Sequence, residues 1–282
     1  VADKEWLNDK KMTMLGRFQT QRLLRDMVKA GCKYAIIETS SQGIEQFRHI
    51  SINYDLVVFT NLSPEHIEAH GGFVNYRDAK ERLFTHLTKM KKKNLFGKLV
   101  DKIIVSNIDD EENERLKKFK ADKFATYGAD KIANYQAKNI SLDEGLYFEI
   151  KNQKIKTNFL GKFNVYNILA SLAAVNQLGF GLQELASCQL KGVSGRQEWI
   201  EQGQDFKVMV DYAPEPTSLN LLYKALDNFS KNRLIHVLGS CGGGRDKARQ
   251  PILGQMAGKV ADIVIVSNED PYDDDPIEIM SN

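Results

Sequence analysis

Short apolar runs of strand length alternate with stretches whose apolar residues recur at helical spacing, and this alternation persists through most of the chain. Residues 33–38 (KYAIIE) and 55–60 (DLVVFT) read as buried strands, with two more near 103–105 and 124–127. Between them come helical stretches. Residues 18–30 place Leu23, Leu24, Met27 and Val28 on one face, with Gly31 as the C-cap, and residues 75–90 form a second, longer helix. A third, highly charged helix is predicted over 111–120. Strand, crossover helix and strand in succession require a mostly parallel sheet covered by helices, so the fold class is α/β. Residues 132–158 break the pattern: 133–140, 145–150 and 154–158 are short strands between polar turns, which predicts a local antiparallel meander. Helices follow at 165–178 and 182–190, then a small-residue hinge at Gly192, Ser194 and Gly195. After it the alternation restarts with strands at 206–210, 234–238 and 262–266 and helices at 216–229 and 252–260. The boundary is placed near residue 192, giving domains 1–191 and 192–282.

A chain of 282 residues fits two domains at about 150 residues each. Its 39 Lys and Arg against 37 Asp and Glu leave a net charge of +2, and no basic stripe stands out, so composition gives no reason to expect a nucleic-acid partner. No apolar run approaches the ~18 residues of a membrane span, and no signal-peptide pattern opens the chain. Cys32, Cys188 and Cys241 are far apart, without metal-ligand spacing or a disulfide framework, and a reducing cytoplasm is the default location. The lysine cluster at 89–93 reads as a solvated helix end. The first residue is Val, which leads us to expect a fragment.

Ligands of α/β sheets gather beyond the carboxyl ends of the strands. Glu38-Thr39-Ser40-Ser41 follows the first predicted strand, and Thr60-Asn61-Leu62-Ser63-Pro64-Glu65-His66 follows the second. A carboxylate and an imidazole on one sheet edge suit a hard divalent cation such as Mg²⁺; helix caps and a satisfied histidine are the alternative. In the second half, Gly239-Ser240-Cys241-Gly242-Gly243-Gly244-Arg245-Asp246-Lys247 follows a strand. Its glycines let backbone N–H groups approach a ligand, and Arg245 offers a fork for a carboxylate or phosphate, although tight turns look the same. No G-x-x-x-x-G-K-[ST] occurs in the chain. Asp211, at a strand end, is placed to hold a ribose hydroxyl or simply to start a helix.

Together these segments resemble the Mur ligases, and within them the UDP-N-acetylmuramoyl-tripeptide synthetases. The likeness rests on six segments in order: Glu38 to Gly43; Thr60 to His66 with His70-Gly71; Asn75-Tyr76-Arg77-Asp78-Ala79-Lys80 with Leu83-Phe84; Gly161-Lys162-Phe163-Asn164-Val165-Tyr166-Asn167; Gly195-Arg196-Gln197-Glu198; and Asp211-Tyr212-Ala213 with the Gly-rich loop through Lys247. The resemblance implies a central ATPase-type parallel-sheet domain followed by a Rossmann-like C-terminal domain, both incomplete. It implies an ATP-dependent amide ligase of peptidoglycan synthesis, which activates the terminal carboxylate of a UDP-muramoyl peptide as an acyl phosphate and joins it to an amino acid. By the same resemblance Glu38, His66 and a carbamate on Lys80 bind Mg²⁺, while Thr13, Ser40, Gln46 and Arg48 contact the UDP-muramoyl substrate. Asn164, Asn167, Arg196 and Asp211 contact ATP, and Arg245, Glu269 and Tyr272 face the incoming amino acid. By spacing alone, Lys80 is an exposed helix lysine.

The sequence departs from the family in three ways. The P-loop and an N-terminal UDP-binding domain are expected before residue 1, and more of the C-terminal domain after Asp275-Pro276. Pro214 stands where the D-Y-A-H motif has its histidine. Glu269-Asp270-Pro271-Tyr272 stands where diaminopimelate-adding members have D-N-P-R. The competing functions are a folylpolyglutamate- or cyanophycin-type ligase of the same superfamily and a non-catalytic module that binds UDP-muramoyl peptide.

Overall fold

The computed structural model describes residues 13–63, 70–143, 145–227, 229, 232–243 and 247–281. Two compact units divide the chain between Thr126 and Tyr127.

The first unit runs through α1 (Arg17–Lys29), α2 (Ser41–Glu45), β1 (Leu56–Phe59), α3 (Phe73–Lys89), the hairpin strands β2 (Asn94–Leu95) and β3 (Lys98–Leu99), β4 (Ile103–Asn107), the short α4 (Asn113–Leu116) and β5 (Lys123–Gly128). Strand β1 pairs in parallel with β4, Leu56 opposite Ile103 and Phe59 opposite Ser106, with β5 on the other side of β4. Every residue of β4 is buried, as a central parallel strand requires. Helix α3 is the crossover. It turns Phe84 and Leu87 onto Val57, Phe59, Ile104 and Leu116, and the Phe84 ring stacks 5.7 Å from that of Phe119. Leu87 is fully buried, and a side chain of that size contributes about 1.5–3 kcal/mol. Helix α1 ends as its glycine predicts. Gly31 has φ +78°, its N–H donates to Val28 O, and the Cys32 N–H reaches back to Met27 O at 2.9 Å.

Two expectations fail here. Residues 33–38 form no strand: they pair with no ladder among the described residues, and Ile36 and Tyr34 are 96% and 52% exposed. A short apolar run becomes a strand only where a neighbour supplies N–H and C=O groups. The helix expected over 111–120 shrinks to Asn113–Leu116. There Asp110 Oδ1 accepts the Glu112 N–H and Asn113 Oδ1 accepts the Ser106 hydroxyl, so short polar side chains compete with helix formation.

The second unit begins inside β5, whose end pairs in parallel with β6 (Tyr135–Gln136). The meander β7 (Lys138–Ser141), β8 (Leu146–Ile150) and β9 (Gln153–Thr157) follows, then α5 (Lys162–Gln177), α6 (Leu182–Ala186), β10 (Glu198–Ile200), β11 (Val208–Val210), α7 (Pro216–Leu226), β12 (Ile235–Leu238), α8 (Arg249–Val260), β13 (Ile263–Val266) and α9 (Pro276–Ser281). The meander is antiparallel as predicted, but its expected first strand divides. Buried Tyr135 pairs with Tyr127, and its hydroxyl bonds Asn176 and Gln177 on α5, which commits Tyr135–Gln136 to the parallel sheet. Strand β11 pairs antiparallel with β10, a strand of three residues that is too short to be visible as a period. Strands β12 and β13 are parallel, with α8 as their crossover. Leu219, Leu222, Tyr223 and Leu253 form the core beside them. Helix α7 starts at Pro216 behind a Glu215/Ser218 capping box.

A buried histidine sets an acid limit on the first unit. His49 is 4% exposed, its ring 5.2 Å from that of His86. Burial first, then the charges of His86 and Arg82, lower its pKa to about 4. The unfolded chain therefore binds this proton earlier as pH falls. The stability contribution is intact above the ordinary histidine value of about 6.5 and is lost progressively toward pH 4. Urea unfolding midpoints should fall across that window, and His49→Gln should flatten the slope; equal slopes in both proteins would contradict this assignment.

Candidate active site

In the first unit the segment 60–63 leaves the carboxyl end of β1, the end of a parallel strand where ligands gather. Residues 60–63 leave β1 and are tied to the loop after β4: Asn107 Nδ2 donates to Thr60 O at 2.9 Å, and Asp110 Oδ2 accepts the Leu62 N–H at 2.9 Å. Neither Asn107 nor Asp110 stood out in the sequence, because their task is to satisfy a backbone brought alongside by the sheet. His66 lies outside the described residues. Four positions on, His70 is buried, its Nε2 3.0 Å from Ser41 Oγ and its Nδ1 3.4 Å from Glu45 Oε2. The Glu45 contact lacks hydrogen-bond geometry, so the serine is the firmer partner. The His70 ring lies 5.2 Å from that of Tyr76, and Lys80 Nζ lies over the same tyrosine ring, 4.9 Å from its centroid.

Ser40 caps α2, accepting the Gly43 N–H at 3.2 Å. Arg48 donates to Met14 O, and a Cβ on Gly43 would meet Met14 Sδ at 2.9 Å, so the segment beginning at Thr13 lies against α2. Thr13, Ser40, Gln46 and Arg48 thus border one small helix, Thr13 and Gln46 exposed and the other two half-buried. Glu38 is exposed, without a partner among the described residues. Its carboxylate is the hard oxygen donor that Mg²⁺ prefers. No three ligating side chains converge among the described residues.

In the second unit the asparagines of α5 meet the 195–197 turn. Asn164 Nδ2 donates to Leu160 O and to Gln197 Oε1, both at 2.9 Å, and Asn167 Nδ2 donates to Asn164 Oδ1 at 3.1 Å. Gln197 has φ +49°, a left-handed conformation costly for a residue with a Cβ. Asp211 holds it there, with Oδ2 accepting the Gln197 N–H at 2.8 Å and Oδ1 the Ala213 N–H at 2.9 Å. Glu198 accepts the Gly195 N–H and the Ser194 hydroxyl, which keep its carboxyl below the usual range. Arg196 lies over the Tyr212 ring at 4.7 Å. Between them opens a cleft of about 390 Å³ lined by Ser194, Gly195, Arg196, Val210, Asp211 and Tyr212. Gln197 Nε2 is buried with no acceptor among the described residues, although Gln197 was not among the candidate site residues. A larger cleft of about 690 Å³ beside Trp199, Lys207 and Phe229 holds none of the singled-out residues.

Arg245 lies outside the described residues, but the glycines before it interlock with 267–274. A Cβ on Gly239 would meet Ser267 O at 2.6 Å, one on Gly242 Pro271 O at 2.2 Å, and one on Gly243 the Tyr272 ring at 2.8 Å. Asp274 accepts the Gly243 N–H and Asp275 accepts the Ile277 N–H at the start of α9. Two carboxylates of the acidic run therefore have structural duties, while Glu269 and Asp273 are exposed. Ser240 Oγ is buried without a hydrogen-bond partner among the described residues. Arg249 Nη1 bonds Glu215 Oε1, tying the helix after the Gly-rich loop to the segment after Asp211.

This arrangement has counterparts. Residues 2–175 match the Mur ligase middle domain and residues 195–282 the Mur ligase glutamate ligase domain. The chain belongs to the Mur ligase family. This Mur ligase is 34% identical, over 92% of its length, to the UDP-N-acetylmuramoyl-L-alanyl-D-glutamate–2,6-diaminopimelate ligase of Geobacillus kaustophilus, covering 53% of that protein. It is 33% identical over its whole length to the UDP-N-acetylmuramyl-tripeptide synthetase of Roseiflexus sp., covering 57% of it. The chain spans about half the length of the curated relatives it matches. A solved structure of a UDP-N-acetylmuramoyl-L-alanyl-D-glutamate–2,6-diaminopimelate ligase superposes with a TM-score of 0.65 at 32% identity, covering 95% of this chain and 54% of that one. A Mycobacterium tuberculosis folylpolyglutamate synthase, at 17% identity and a TM-score of 0.55, shares the fold alone.

The Asp211 bracket in this Mur ligase should be measurable. Asp211→Ala leaves two half-buried N–H groups unpaired and should lower the unfolding free energy by about 1–3 kcal/mol, with Asp211→Asn costing less. Denaturant titration checks this; an unchanged midpoint for the alanine variant would show that water replaces the carboxylate.

Proposed function

We propose that this chain is part of an ATP-dependent amide ligase that adds an amino acid to UDP-N-acetylmuramoyl-L-alanyl-D-glutamate in peptidoglycan synthesis, acting in the cytoplasm. The observation carrying this reading is the likeness, over nearly the whole chain, to relatives named for that ligation. The geometry supports it: residues assigned to each substrate fall into clusters, one around α2 and one around the 195–197 turn. The folylpolyglutamate reading has only a shared fold behind it.

The chemistry explains the residue types. A carboxylate is a poor electrophile until ATP converts it to an acyl phosphate, which the amine then attacks. Ser40, Arg48, Thr13 and Gln46 would hold the UDP-muramoyl peptide, with Arg48 supplying positive charge. Asn164, Asn167, Arg196 and Asp211 would hold the nucleotide, and the buried Gln197 Nε2 offers a donor to an acceptor on the base. Glu38, His66 and a carbamate on Lys80 would hold Mg²⁺, which when bound offsets the repulsion between the two anionic substrates. Arg245 would grip the α-carboxylate common to every acceptor amino acid.

Lys80 tests the reading. In the protein carrying these residues together with a phosphate-cradling loop, Lys80→Ala should lower kcat by ~10²-fold or more. Phosphate release with UDP-muramoyl dipeptide and an acceptor reports this, and short carboxylic acids should restore part of the rate. Activity within twofold of the parent would remove Lys80 from the site.

The acceptor is a second test. Tyr272 carries no positive charge at neutral pH and packs on Gly243, so it cannot grip a distal carboxylate as an arginine would. Glu269 and Asp273, exposed beside it, suit a distal ammonium. We expect lysine, or another acceptor lacking the far carboxylate, to be preferred over meso-diaminopimelate. Competing kcat/KM values decide it, and a preference for diaminopimelate would require another cation at the far end.

A further inference from the structure

The hairpin of β2 and β3 has no part in the chemistry above, yet its tip carries Phe96, the most exposed large hydrophobic side chain among the described residues. Its turn residues, Phe96 and Gly97, both have positive φ, +54° and +83°, as a two-residue hairpin turn demands. Asn or Gly would meet that demand without strain; here the first position is a phenylalanine whose ring is fully exposed, at 105%. Leu95 and Leu99, 52% and 64% exposed, flank it. Asn94 faces Leu99 and Leu95 faces Lys98 across the ladder, so the two leucines lie on opposite faces of the ribbon, behind the Phe96 tip. Residues 89–100 carry five lysines and no carboxylate. Lys92 and Lys93 pair with Asp122 and Asp55 at the hairpin's base, whereas Lys89, Lys91 and Lys98 have no carboxylate partner among the described residues.

We propose that this hairpin docks the protein on an anionic lipid membrane, with Phe96, Leu95 and Leu99 entering the interface tip-first and Lys89, Lys91 and Lys98 meeting the headgroups. A convex apolar tip fits a deformable surface without a preformed pocket, and a basic collar complements anionic lipid. A nucleic acid would stack on the ring but gain nothing from two aliphatic side chains beside it. A second copy of the chain would bring the same positive charge to the contact.

The test is co-sedimentation of the 282-residue chain with vesicles of phosphatidylcholine alone or mixed with phosphatidylglycerol. Binding should require phosphatidylglycerol and weaken with salt. Phe96→Gly suits the positive φ, so it should keep or raise the melting temperature while weakening vesicle binding about tenfold. Exchanging Lys91 or Lys98 for Gln should cost roughly fivefold each. Absence of vesicle binding would overturn the proposal. So would binding that Phe96→Gly leaves unchanged, which would mean a purely electrostatic contact. So would a concentration-dependent dimer lost in Phe96→Gly, or binding to single-stranded oligonucleotide but not to vesicles.

Discussion

A single carboxylate holding two backbone N–H groups keeps the second unit's cleft in shape. Asp211 accepts from Gln197 and from Ala213, and so closes the 195–197 turn onto the end of β11. Gln197 stays left-handed against the preference of a residue with a Cβ. Once it is there, its side chain reaches Leu160 and Asn164, Asn164 orients Asn167, and Arg196 settles over Tyr212. A lost Asp211 oxygen would therefore disturb the cleft wall and both asparagines, though it touches neither asparagine itself.

The first unit follows the same physical rule. Chain that leaves a parallel ladder must find partners for its N–H and C=O groups. Asn107 and Asp110 provide them for residues 60–63, and Asn75 for His70 O. His70 in turn is locked to Ser41, which joins the segment leading to α3 with the capped start of α2. The Glu215–Arg249 pair has the corresponding place in the second unit, between two helix starts that each follow a loop assigned to a ligand.

How far these sites were readable depended on the kind of signal. Asn164, Asn167, Arg196 and Asp211 stood in short motifs whose residue types announce polar work, and the fold brings them together. Gln197, Asn107 and Asp110 act on backbone groups more than ten residues away, and no local pattern records such a partner. The acidic run at 269–275 read as one feature because composition cannot distinguish Asp275, which accepts the Ile277 N–H at the start of α9, and Asp274, which bonds Gly243, from the rest of the run. The strand expected over 33–38 rested on a short apolar run, and such a run does not record whether a neighbouring strand is there to pair with it.

Periodicity alone determined the class of fold: the strands β1, β4, β5, β12 and β13, the crossover helices α3 and α8, and the meander. These follow from side-chain spacing, which is a local property. Only the tertiary structure decided that Tyr135 leaves the meander for the parallel sheet, that β11 pairs with β10, and that Ile36 lies open to solvent. Each depends on which backbone stands alongside, and that is settled by contacts between residues distant in the chain.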